Sequence, residues 1–209
     1  MRSTYNRKTS PKVIGGHVQR KNNHVKTARL GYYVDRLSPD KGYRHVITKK
    51  EIHEFTDLIP DWPKVSIGLE SIILDSGDYD YDGLYSHYRQ DDTSTIWLSA
   101  WEIDLWVELS DEYYKEHRWI LKILGVISDQ KIDKEDGYKF WFCYFTEPQA
   151  KAFMLMHIFL HELGHHVGKF RSKKRNPSGE VFAENYANRR FHEIWPSYVN
   201  YFGSPCLSR

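Results

Sequence analysis

Apolar residues are sparse and irregular over residues 1–29, and a periodic pattern takes hold only from Thr48. Thr48-Lys49-Lys50-Glu51 has capping-box spacing, in which each polar side chain accepts a backbone N–H left unpaired at a helix start. Ile52, Phe55 and Ile59 follow at helical spacing, so a short helix ending before Pro60 is expected. Val65, Ile67 and Leu69 then alternate, and Ile72-Ile73-Leu74 continues them as a strand pattern. Leu84–Tyr88 and Thr95–Leu98 are two further strand candidates. Residues 102–124 carry two periods: Ile103, Leu105, Val107 and Leu109 recur at every second position, whereas Tyr114, Leu121 and Leu124 suit a helix ending at Gly125. Lys139–Phe145 is aromatic between polar segments and reads as a strand.

In the last third the pattern is helical. Thr146-Glu147-Pro148-Gln149 is a second capping box, with proline in the first turn, where its missing N–H costs nothing. A helix is expected from about 147 to 167, with Gly168 as its C-terminal cap. Asn176-Pro177-Ser178-Gly179 opens a second, from about 179 to 195, ended by Pro196. Strands first and helices after predict an α+β fold, a small mixed or antiparallel sheet packed on a long helix.

The length of 209 residues suits one domain, here 30–209, carrying a short arm, and the 40% hydrophobic content excludes wholesale disorder. Two cysteines, Cys143 and Cys206, are too few for a disulfide scaffold or a four-cysteine zinc site, and suit a reducing compartment. The most apolar run, Ala152–Leu160, is interrupted by His157 and is far short of a membrane span, and MRSTYNRKTS leads into no apolar leader. A cytoplasmic location without membrane contact is the expectation. The net charge of +2 hides an asymmetry: residues 1–29 hold eight basic side chains and no acid, leaving 22 basic against 28 acidic residues beyond them. That arm reads first as a solvated, loosely held tail, and second as a nucleic-acid contact.

Among the 11 histidines, two stand in His161-Glu162-Leu163-Gly164-His165. Histidines at i and i+4 share one helix face and can hold one cation through ring nitrogens. Glu162 points about 100° around the helix and can reach a water on that cation without ligating it. A third histidine at the end of the extended motif is ruled out, since Arg171 occupies that position and cannot ligate. Downstream, Glu180, Ala183, Glu184 and Ala187 share a helix face, and the alanines permit close approach to the first helix. Glu180 as ligand and Glu184 as hydrogen-bond partner of a ligating histidine would supply both shells, with the reverse assignment left open. His157 lies one turn before His161 and reads as a core or supporting residue, because three histidines along one helix cannot converge on one ion. His166 points elsewhere. Donors for a developing oxyanion are sought among Tyr186, His192, Tyr198 and Tyr201.

HELGHH over 161–166 with E-x-x-A-E-x-Y-A over 180–187 resembles the gluzincin zinc metallopeptidases, most of all small ImmA/IrrE-type and minigluzincin proteins. Gly83-x-Tyr85 and Ile96-x-Leu98 match more loosely, and 102–145 is longer than the segment such proteins place there. The resemblance implies a zincin-like domain with His161, His165 and Glu180 as Zn2+ ligands. It further implies Glu162 as general base toward a zinc-bound water, a protein or peptide substrate, and an edge strand near 94–100 rimming the cleft. The alternative is a non-catalytic, metal-containing module binding nucleic acid or protein, for which the intact Glu162 has no use. Two other patterns are weaker. Asp78-x-Asp80-x-Asp82-Gly83 imitates a calcium loop but has Arg89 where the bidentate glutamate belongs, and Trp97, Trp101 and Trp106 read as packing residues.

Overall fold

The computed structural model describes residues 31–77, 81–90, 92–135, 137–169 and 178–206, with the backbone of 12–14 and 17–19. The latter form a hairpin of β1 (Lys12–Ile14) and β2 (His17–Gln19). The side chains of the basic arm, and the nucleic-acid contact considered for it, lie outside the described residues, as do Asp78 and Asp80 of the calcium-like pattern. Among the described residues no helix is long and apolar enough to cross a membrane.

Next in chain order come β3 (Tyr33–Arg36), β4 (Tyr43–Arg44), α1 (Lys49–Thr56), α2 (Trp62–Val65), β5 (Leu69–Leu74) and β6 (Gly83–Tyr88). They are followed by β7 (Thr93–Leu98), β8 (Trp101–Glu102), β9 (Trp106–Ser110), α3 (Asp111–Leu124), β10 (Ile127–Ile132) and β11 (Lys139–Tyr144). The chain ends in α4 (Glu147–Phe153), a π-helical segment (Met154–Phe159), α5 (Leu160–Gly168) and α6 (Ser178–Phe202). The fold is mixed α+β. Its main sheet has the order β3-β5-β7-β6, with β3, β5 and β7 parallel and β6 antiparallel to β7. A separate antiparallel sheet, β10-β11-β9, is built from the 102–145 segment.

Both capping boxes form, at Thr48 with Glu51 and at Thr146 with Gln149. The two periods of 102–124 belong to successive elements. Trp106–Ser110 is a strand, and Ser110 caps α3, which stops at Gly125 with φ at +72°, the left-handed cap that glycine adopts without strain.

Four expectations need correction. Val65 ends α2, whose Pro63 sits in its first turn, and Ile67 is exposed, so the strand begins only at Leu69. The edge of the main sheet near the long helices is β6, while the 94–100 segment pairs on both sides as β7. Gly168 is the last residue of α5 and not a left-handed cap; its missing side chain makes room for the Phe182 ring, 3.0 Å from where a Cβ would stand. Finally, α6 runs through Pro196 to Phe202. Losing one helix hydrogen bond there costs about 3 kcal/mol, but the helix beyond buries Tyr198 and stacks Trp195 on Tyr198 and Tyr198 on Phe202. Packing outweighs the break.

The core lies between the main sheet and the helices, where Ile72, Leu74, Ile96 and Leu98 meet Ile52, Phe55, Phe159 and Tyr198. Phe55 stands edge-on to Phe159 at 5.6 Å, tying α1 to the π segment. Arg190 Nη2 of α6 donates to both oxygens of Asp61 at 2.5 and 2.6 Å, clamping the last helix to the turn before α2. Trp101 packs edge-on against Phe145 within the core, so the three tryptophans form no exposed stripe.

Candidate metal centre

The run from Glu147 to Gly168 changes hydrogen-bond register in the middle, where Met154–Phe159 is π-helical. The wider π turn means that the four-residue step from His157 to His161 falls short of a full turn, so the two rings do not stack on one line. His161 and His165 lie on the regular α-helix after it, and their Nε2 atoms stand 3.1 Å apart. Glu180, in the first turn of α6, brings Oε2 to 3.4 Å from each of them. A zinc ion bonded at about 2.0–2.1 Å in tetrahedral geometry spaces its donors about 3.3 Å from one another. His161, His165 and Glu180 therefore stand at the donor spacing of one metal ion.

Close helix approach puts Glu180 there. A Cβ on Gly164 would lie 2.7 Å from Ala183 Cα and 2.9 Å from its carbonyl oxygen, so only glycine fits at that crossing. Ala183 and Ala187 are buried in the same seam. One turn after Glu180, Glu184 Oε2 accepts a hydrogen bond from His161 Nδ1 at 3.2 Å. That bond fixes the tautomer, leaving the Nε2 lone pair free for the cation. Burial would raise the Glu184 carboxyl, but hydrogen bonds from His117 and His161 outweigh it and hold the group well below the usual carboxylate range. Burial likewise opposes charge on His161, yet Glu184, Glu162 and Glu180 raise its pKa on balance, while burial lowers that of His165.

Glu162 is 7% exposed and lies beneath β6. Burial pushes its pKa up to about 7, Glu180 adds to the rise, and His161 and the Tyr85 backbone N–H oppose it. A Cβ on Gly83 would stand 2.9 Å from Glu162 Oε1 and 2.6 Å from Ile158 Cγ2, so β6 reaches this carboxylate because residue 83 has no side chain. Since Asp82 C=O accepts from Ser99 N–H, residues 82, 84, 86 and 88 turn their backbone groups toward β7. Gly83, Tyr85 and His87 consequently turn theirs outward, over the cleft.

That cleft has a volume of about 680 Å³, and its walls include Asp82, Gly83, Tyr113, His117, Glu162 and Asn185. No known family model, no curated protein and no solved structure matches this chain.

His157 is buried and sits in a second group of potential donors with His117 and Glu184. His166 is fully buried and bonded to the Ile67 carbonyl at 3.0 Å, away from the donors. The four oxyanion-donor candidates are not in the site. Tyr186 packs beneath Arg189 and Arg190, His192 lies on Trp119, Tyr198 is core, and Tyr201 is exposed beside Phe202. Tyr113 and His117 take the cleft wall instead. Their i, i+4 spacing on the α3 face was visible, but nothing local shows that the 102–145 segment folds back over the long helices.

Proposed function

We propose that this chain is a zinc-dependent metallopeptidase with a zincin-like domain of gluzincin type, acting on protein or peptide in the cytoplasm. One observation carries the reading: the triangle of His161 Nε2, His165 Nε2 and Glu180 Oε2, with sides of 3.1, 3.4 and 3.4 Å, stands beside a buried carboxylate of raised pKa. His161, His165 and Glu180 would hold the Zn2+, which would supply Lewis acidity toward the attacking water and the scissile carbonyl. Glu162 takes the proton of the attacking water at its carboxylate and passes it to the leaving amine, from a buried position beside the triangle. Tyr113, whose pKa burial and neighbouring carboxylates raise far above neutral, stays protonated and supplies a hydrogen bond to the developing oxyanion. The outward backbone groups of Gly83 and His87, flanking the Tyr85 N–H that Glu162 occupies, receive an extended peptide as an added strand.

Glu162→Gln should keep the zinc content of the wild-type chain and lower peptide hydrolysis by about 10³-fold or more. Zinc content by elemental analysis and turnover of a casein digest, read on the same preparation, test this. Equal turnover in both proteins removes the base from the mechanism, and a wild-type chain that takes up no zinc removes the enzyme.

A further inference from the structure

Behind the triangle lies a second convergence of electron-pair donors. His117, His157 and Glu184 each offer one ligand atom, and these lie within 4.8 Å of one another. His117 is 5% exposed and His157 2%, and both line the same cleft as Glu184. Their positions come from three elements: α3, the π segment and α6.

The hydrogen bonding fixes what these atoms can do. His117 Nδ1 stands 2.8 Å from the Tyr113 carbonyl oxygen, which can only accept, so the ring proton is on Nδ1. Its Nε2 is turned the other way and faces Glu184 Oε1, 3.7 Å away. The other carboxylate oxygen is already engaged by His161 Nδ1, while Asn188 Nδ2 donates to Oε1 at 3.2 Å. His157, whose ring centroid is 4.6 Å from that of His117, adds an imidazole that burial keeps neutral. Two imidazoles and a carboxylate thus converge from three elements in one buried corner, a donor set that a single cation can share.

We propose that His117, His157 and Glu184 form an inner binding site for a second divalent transition-metal ion, separate from the triangle. Two imidazoles and one carboxylate are a donor set suited to zinc; the His117–Glu184 edge is 3.7 Å and all three donors lie within 4.8 Å, so side-chain rotations must draw them in to the roughly 3.3 Å edge of a tetrahedral zinc site. Glu184 links the sites, with Oε1 toward the inner ion and Oε2 toward His161. Filling the inner site draws charge from the carboxylate that supports His161, so the two ions bind in distinct steps, the second weaker than the first.

The test is a titration of the metal-free full-length chain with Co2+, followed by absorption and by native mass spectrometry, and repeated with Zn2+. Wild type is expected to take up about two ions, His117→Phe and His157→Phe about one each, and Glu180→Ala about one, held by the inner site. A wild-type stoichiometry of one that persists in both histidine variants overturns the proposal, as do two ions retained by both. A single ion lost in the histidine variants but kept in Glu180→Ala upholds the inner site while refuting the peptidase reading. The wild-type count itself requires no substitution, and His117→Gln, which keeps a polar group toward Glu184, serves if the phenylalanine variants unfold.

Discussion

Glu184 shows how one side chain acquires a role from its partners. Its carboxylate meets His161, His117 and Asn188 within one corner of the cleft, and it is about one-third exposed. Removing it frees the His161 ring to rotate and to carry its proton on either nitrogen, so the lone pair no longer waits at the cation position. Glu184→Ala is expected to weaken zinc binding by the His161–His165–Glu180 triangle by about 10- to 100-fold, measured by competition with a chromophoric chelator. Unchanged affinity would mean that the hydrogen bond to His161 is not what orients it. Glu162 illustrates the complementary case. Its neighbours in the chain require only that it lie one residue past a histidine, whereas its pKa of about 7 arises from burial under β6.

At the scale of elements, the seam between α5 and α6 sets the third donor. Gly164→Ala would place a methyl group against Ala183 backbone, which cannot rotate away, so α6 must move outward and take Glu180 with it. A loss of about 1–3 kcal/mol in stability is expected from this overpacking, together with weaker zinc binding. Gly168→Ala is the control: the nearest atoms to its methyl group belong to the Phe182 ring, which can shift, and the better helix propensity of alanine offsets the contact. Denaturant melts and zinc titrations of both variants check the contrast, and equal effects would show that the crossing does not position Glu180. The helix starts were legible in the chain because a capping box is a matter of four consecutive residues. The ends were less so, since continuing past Pro196 depends on the aromatic packing around Tyr198. Strand β10 escaped the periodicity altogether, because most of its residues face solvent and no alternation marks a buried side.

For the whole molecule, buried thiol and phenol groups make stability fall at alkaline pH, Cys143 and Tyr32 among them. Burial raises the Cys143 thiol from 9.0 to about 11, and raises the Tyr32 hydroxyl from 10.0 to about 12, against a hydrogen bond with Thr56 that lowers it. The unfolded chain releases these protons first, so above pH 9 it binds fewer protons than the folded chain and stability falls as pH rises. The loss should begin near pH 9, where Cys143 leads, and steepen above pH 10 as Tyr32, the half-buried Tyr85 and the buried Tyr198 join, Cys143 and Tyr32 each contributing on the order of 2 kcal/mol. Cys143→Ala should delay the onset by about one pH unit, read as free energy of unfolding against pH; an onset that does not move assigns the limb to other groups. By itself, the sequence determined the α+β class, both capped helix starts, and the pairing of His161 with His165 and an adjacent Glu162. Each of these depends on spacing within a few residues, which the 3.6-residue helical turn converts directly into position. Only the tertiary structure decided that Glu180 joins the histidines while Glu184 stands behind them, that β6 and not β7 faces the cleft, and that α3 brings Tyr113 and His117 to its wall. Those placements rest on contacts between segments tens of residues apart, made where Gly164 meets Ala183 and Gly83 meets Glu162, and no local spacing encodes where two packed surfaces come to rest.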